Sequence, residues 1–155
     1  QASIGNLLQM ASNARIIHMS CHAYFSSVDA LDSYVSLSDG KFSARDWMKL
    51  SLKSELVTLS ACRTGFNEIG QGDEITGFNR ALFYSGTQST LLTLWAVYAE
   101  STLVWMTNFY QFAWNSDGNK LMSKADAFQR ATLMTMNKYP DPYFWAPFML
   151  SGNGS

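Results

Sequence analysis

LVTLSACRTGFNEIGQGDEITGF, residues 56–78, changes character in its middle. The first half is apolar and β-branched, the composition of a strand covered on both faces. At Cys62 it breaks into a polar run carrying Gly65, Gly70 and Gly72, and near Asp73 an amphipathic pattern begins. Strand, glycine-bearing loop and helix in that order open a parallel α/β unit. In such sheets functional groups collect in the crevice beyond the carboxyl ends of the strands. Cys62 stands at that place. A lone cysteine there is more often a small core residue than a nucleophile, so its surroundings must decide.

Working outward, SIGNLLQMA (3–11) has Ile4, Leu7, Leu8 and Ala11 on one helical face, and RIIHMS (15–20) reads as a strand. Residues 21–33 read as a loop, and 34–43 as a hairpin turning at Asp39-Gly40. Ser43 is a candidate N-cap for a short helix reaching Leu50. The strand that ends near Cys62 covers 55–61. After it come a helix at 73–86, a buried strand at 89–96 and helices at 99–114 and 121–139. A last strand covers 143–150, where Pro147 argues for a sheet edge. Alternating strands and helices predict an α/β fold, a mostly parallel sheet flanked by helices on both faces.

The chain has 155 residues, the size of a single domain, and the expectation is one domain over 1–155. A net charge of −1 gives no electrostatic reason to expect nucleic acid or an anionic membrane as a direct partner. Five Trp and 14% aromatic residues suggest buried contacts with something outside the chain. Two cysteines make no disulfide framework and suit a reducing, cytoplasmic setting. No apolar run approaches the roughly 20 residues of a membrane span. The start at Gln1 suggests a piece of a longer polypeptide.

Period-two alternation puts His18, Ser20 and His22 on one side of their strand and Cys21 on the other; Thr58, Ser60 and Cys62 share a side of theirs. If the two strands are neighbours, His22 and Cys62 face each other across the upper edge. An imidazole beside a partly exposed thiol favours thiolate, the nucleophilic form. Zinc held by His18, Cys21, His22 and Cys62 is the competing chemistry, but Cys21 points away and the spacing fits no common zinc pattern. Neither G-x-S-x-G nor a phosphate-binding GxxxxGK[ST] occurs. A nucleotide-binding reading therefore has only the parallel sheet behind it.

RIIHMSCHAYF, LVTLSACRTGFNEIGQGDEITGFNRALFYSG, STLLTLWAVYAESTLVWMTNFY and YPDPYFWAPFMLSG together resemble the CHAT domain. CHAT domains are caspase-like, separase-related cysteine peptidases usually attached to tetratricopeptide repeats. The resemblance runs from about residue 14 to residue 152, with the motifs in the family's order. It implies that His22 is the catalytic histidine and His18 a structural one, that Cys62 is the nucleophile, and that the backbone N–H groups of Ala23 and Cys62 face the oxyanion. Ala23 stands where the family has glycine. The resemblance also implies strands preceding residue 3 that this chain lacks.

The reading expected from these residues is a cysteine endopeptidase with a Cys-His dyad, acting on a protein substrate through an acyl-enzyme. It needs no cofactor or metal and is gated by a tetratricopeptide-repeat or other sensor module in the same chain or complex. The competing expectation is a catalytically silent caspase-like scaffold. Around the crevice the sequence offers Asp29, Asp32, Glu68, Asp73 and Glu74 against Arg63. That balance would favour a basic or neutral residue before the cut over an acidic one.

Overall fold

The structure, a computed structural model, describes residues 2–26, 28–63, 73–96 and 98–155, with only the backbone described at 61–63 and 73–74. In chain order its elements are α1 (Ile4–Met10), β1 (Ile16–Tyr24), β2 (Tyr34–Leu37), β3 (Gly40–Ser43) and α2 (Ala44–Trp47). They continue with β4 (Leu56–Arg63), α3 (Asp73–Tyr84), β5 (Ser89–Thr93), α4 (Ala99–Ala113), α5 (Lys124–Lys138) and β6 (Phe148–Gly152). The strands form one sheet in the order β3-β2-β1-β4-β5-β6. Its centre, β1, β4 and β5, is parallel; the hairpin β2–β3 and the terminal β6 add antiparallel edges.

Alternation along the central strands sends consecutive residues into two separate cores. Ile17, Val57, Leu59 and Leu92 face α1, α2 and α3, where Trp47, Phe78 and Leu82 are fully buried. Leu56 and Leu91 face α4 and α5, among Trp105, Phe109, Ala127 and Phe148. The Trp105 ring lies 4.1 Å from that of Phe148 and 5.3 Å from that of Phe109, both stacked. The aromatic richness that suggested an external contact is thus largely consumed in the chain's own cores.

Several boundaries differ from those read off the sequence. The first strand does not stop at Ser20 but continues to Tyr24, pairing with β4 from Ile16 to Ala23 and with β2 at Ala23 and Tyr24. Its outward positions are His18, Ser20, His22 and Tyr24, and this polar run on a solvent-facing side reads as loop in one dimension. β4 likewise includes Cys62, and β5 ends at Thr93 rather than 96. The last strand starts at Phe148, because Pro142–Phe144 form a 3-10 turn capped by the Asp141 carboxylate; it does lie at a sheet edge. The helix predicted over 43–50 is one turn, closed by a capping box. Asp46 N–H donates to Ser43 Oγ, and Ser43 N–H donates to the Asp46 carboxylate. Hydrogen bonds from Lys49 and then Ser43 hold that carboxyl down at about 2.

The turn that follows β1 is locked against α3 at a glycine. The turn after β1, Ala30–Asp32, packs on α3 beside Gly77. A Cβ on Gly77 would lie 2.1 Å from Ala30 Cβ and 3.3 Å from Ala30 Cα. Only glycine allows this approach, although glycine within a helix costs about 1 kcal/mol relative to alanine.

Gly77→Ala should therefore destabilise the protein by about 1–3 kcal/mol in urea denaturation, because the clash outweighs the propensity gain. Ala30→Gly in the same chain should recover most of the loss. A neutral or stabilising Gly77→Ala would show that the contact is not tight.

Candidate active site

β1 and β4 run parallel through eight consecutive backbone pairs, from Ile16↔Leu56 to Ala23↔Arg63. Within that ladder His18 is opposite Thr58, Ser20 opposite Ser60 and His22 opposite Cys62. The two candidate catalytic residues thus occupy partner positions on adjacent strands, one rung before the pairing ends. His22 is exposed. Ala23 is buried, with Val35 of β2 on one side and Arg63 of β4 on the other.

Cys21, on the opposite side of β1, packs half-buried against the core beneath α3. Burial pushes its thiol pKa up, which keeps it protonated and unreactive at neutral pH. Among the described residues no three His, Cys, Asp or Glu side chains gather where a metal ion could be held.

His18 has a different setting from His22. Its Nδ1 lies 2.9 Å from Tyr110 Oη, which in turn lies 2.8 Å from Thr58 Oγ1. The phenol has one proton to donate. Either it donates to Nδ1 and accepts from Thr58, or it accepts from Nδ1–H and donates to Thr58. Burial pushes Tyr110 up to about 12, partly offset by the Thr58 hydrogen bond, so the phenol stays protonated. Burial also lowers the His18 pKa. A neutral imidazole pinned between sheet and helix fixes α4 to the β1–β4 pair.

The candidate acids are placed unequally. Asp29 and Asp32 both bind Arg45 of α2: Nη2 donates to Asp29, and Nε donates to Asp32 at 3.1 Å. Asp29 also accepts the Leu31 N–H at 2.9 Å. These two carboxylates share one guanidinium on the α2 side of the sheet, which offsets one of their two charges. Asp73 and Glu74 open α3, with side chains outside the described residues, as is the side chain of Arg63. Glu68 and the glycines Gly65, Gly70 and Gly72 also lie outside the described residues.

Beside the Ser20–Ser60 rung a cleft of about 440 Å³ opens between the sheet and the first two turns of α4. Its described lining is His18, Ser20, Ser60, Ala99, Thr102, Leu103 and Met106. Neither Tyr110 nor the α4 wall was singled out by sequence reasoning. The signal available was the apolar stripe of α4, Met106, Phe109, Tyr110 and Ala113, which predicts a buried face without saying which strand residues it meets.

A family model of the CHAT domain covers residues 1–153. The chain belongs to the CHAT family. That family is caspase-like and related to cysteine peptidases. No curated protein matches the sequence. Among the described residues of this CHAT domain, no helix is long and apolar enough to cross a membrane.

The lowered His18 pKa sets the sign of a pH effect. Between the folded value and the ordinary 6.5, the unfolded chain binds a proton that the folded chain does not, so stability falls as pH drops below about 6.5. Urea midpoints measured from pH 7.5 down to 5 should decline in the native protein and less steeply in His18→Gln. Tyr110→Phe should cost about 1–3 kcal/mol at neutral pH by stranding Nδ1 and Thr58 Oγ1. Equal pH slopes in native protein and His18→Gln would refute the role given to His18.

Proposed function

We propose that this CHAT domain is a cysteine endopeptidase in which Cys62 is the nucleophile and His22 the acid–base group. The observation that carries the reading is the pairing of His22 with Cys62 on adjacent parallel strands at the carboxyl end of the sheet. Family membership supports the same chemistry.

In this reading His22 takes the Cys62 thiol proton, and the thiolate attacks the scissile carbonyl, forming a C–S bond while the carbonyl π pair moves onto oxygen as an oxyanion. Backbone N–H groups of Cys62 and Ala23 stabilise the oxyanion; such a donor is worth on the order of 10²–10³ in rate. Ala23, hemmed between two strands, is the weaker donor of the two. Collapse of the tetrahedral species expels the amine, which takes a proton from His22. His22 then accepts a proton from water as it attacks the thioester, releasing the carboxylic product and restoring the thiol. The reaction closes without a cofactor. His18 takes no part in it: it lies four residues back along β1, about 13 Å, and its Nδ1 is engaged with Tyr110.

A sensor module in the same polypeptide or complex, such as tetratricopeptide repeats, would gate the site. The turn Ala30–Asp32 and α3 meet at Gly77, so a push on either one reaches the other.

Cleavage by the intact protein, with and without candidate activators, should be scored against a peptide library. Cys62→Ala and His22→Ala should each lower the rate at least about 10³-fold, with melting temperatures little changed. Cys21→Ser should keep most of the activity. Cleavage that survives Cys62→Ala, or no cleavage under any activating condition, would return the domain to the scaffold reading.

A further inference from the structure

The face of the sheet that carries His18, Ser20 and His22 continues beyond the cover of α4. On β1 its next outward residue is Tyr24, 47% exposed. Tyr24 pairs with Tyr34 of β2, whereas Val35 and its partner Phe42 of β3 are buried on the opposite side. Tyr34, Ser36 and Lys41 therefore share the His22 side of the sheet. The core under α4 and α5 takes in β1, β4, β5 and β6, but no described residue of β2 or β3. What stands on the hairpin instead is a row of rings ending in a cation. The Tyr24 and Tyr34 rings stack with centroids 5.2 Å apart. The Lys41 ammonium lies 4.3 Å from the centroid of the Tyr34 ring, a cation–π contact that holds a flexible side chain over the row. Beneath it Phe42 meets Trp47 edge-on in the core, which makes the support firm.

Register places this row beside the candidate catalytic pair. The β1–β2 register, continued one step past Ala23↔Val35, sets Ser36 level with His22, and Ser36 pairs with Lys41. Cys62, His22, Ser36 and Lys41 thus stand at one level across adjacent strands. With strands about 4.8 Å apart, Lys41 is roughly 14 Å across the sheet from Cys62, a span that an extended peptide covers in about four residues. The direction of that peptide follows from the chemistry. His22 must reach the nitrogen that it protonates, so the leaving amine departs on the β1 side of Cys62. The chain after the cut is thereby sent over β1 toward the hairpin.

We infer that Tyr24, Tyr34 and Lys41 form a platform for the substrate segment that follows the cleaved bond, and that it selects an acidic side chain about three or four residues after the cut. The inference rests on the peptidase reading for its direction. The two rings offer an extended chain flat apolar surface with polar rims. The Lys41 ammonium, held at the far end of the row, offers a carboxylate its ion pair. Asp39, two residues before Lys41, is engaged elsewhere: it accepts the Ile4 N–H of α1 at 2.7 Å.

The test has two arms on the intact protein. In the first, peptides identical up to the cut carry Glu, Ala or Lys at the third and fourth positions after it and are compared by kcat/KM. Glu should exceed Lys by about fivefold or more at low ionic strength. In the second, Ala-Ala-Glu-Glu-Gly and Ala-Ala-Lys-Lys-Gly, labelled with fluorescein at the carboxyl end, bind the Cys62→Ala protein, read by anisotropy. These peptides mimic the released segment, so no chemistry is needed, and the acidic one should bind tighter. Lys41→Glu should reverse the order in both arms, and Lys41→Met should abolish the preference, with melting temperatures little changed. Tyr34→Ala should weaken both peptides. Cys62-dependent cleavage whose preference ignores both Lys41 substitutions would overturn the platform while leaving the peptidase reading intact. Acid-selective, Lys41-dependent binding without cleavage under any activating condition would keep the platform and overturn the peptidase reading. Equal binding of the two peptides in the second arm would show the platform assignment to be wrong.

Discussion

The register between β1 and β4 is the constraint on which the rest depends. Eight consecutive pairs align two strands whose residues enter two different cores. A slip of one residue would turn Ile17 and Met19 toward α4 and His18 and Ser20 toward α3, exchanging an apolar set for a polar one. Both cores therefore oppose slippage. The same register puts His22 opposite Cys62, Ser20 opposite Ser60 and His18 opposite Thr58. The proposed catalytic pair, the cleft and the anchoring hydrogen bonds are three consecutive same-face rungs of one ladder.

What holds that face open is as informative as what closes it. Across most of the sheet α4 covers the rungs with Trp105, Phe109 and Ala113. At His18 the cover changes to a hydrogen bond through Tyr110, and above it the cleft opens between the sheet and the first two turns of α4. A polar contact suits this boundary. An apolar residue at 18 would be left partly facing the open cleft, whereas imidazole bonds Tyr110 through Nδ1 and lines the cleft as well. On the opposite side of the sheet, Gly77 and Ala30 join α3 to the turn that follows β1. The site is fixed from below by Tyr110 and from the side by Gly77.

The alternation of strands and helices, the two-sided burial of β4 and the shared face of His18, Ser20 and His22 were all legible in the sequence, because each follows from local period. The reach of β1 was not. Ser20, His22 and Tyr24 look like loop residues, and only pairing with β4 and, at Tyr24, with β2 reveals them as the exposed side of a strand. The partner of His18 was hidden for another reason: Tyr110 is 92 positions away, and no local pattern encodes which helix turn meets which rung. Charge near the site was legible only as a count. Asp29 and Asp32 looked like free acids beside the crevice, and their pairing with Arg45 appears only once α2 is folded against the loop.

The central claim is that His22 acts on Cys62, and it can be tested without knowing a substrate. The rate constant for alkylation of Cys62 by iodoacetamide should be followed against pH, by mass spectrometry, in native protein and in His22→Ala. The account predicts that native Cys62 reacts with a midpoint below about 7.5, and that His22→Ala moves this toward the free-thiol value near 8.5. Superimposable profiles in the two proteins would mean that the two residues share a rung without sharing chemistry, and would contradict the account.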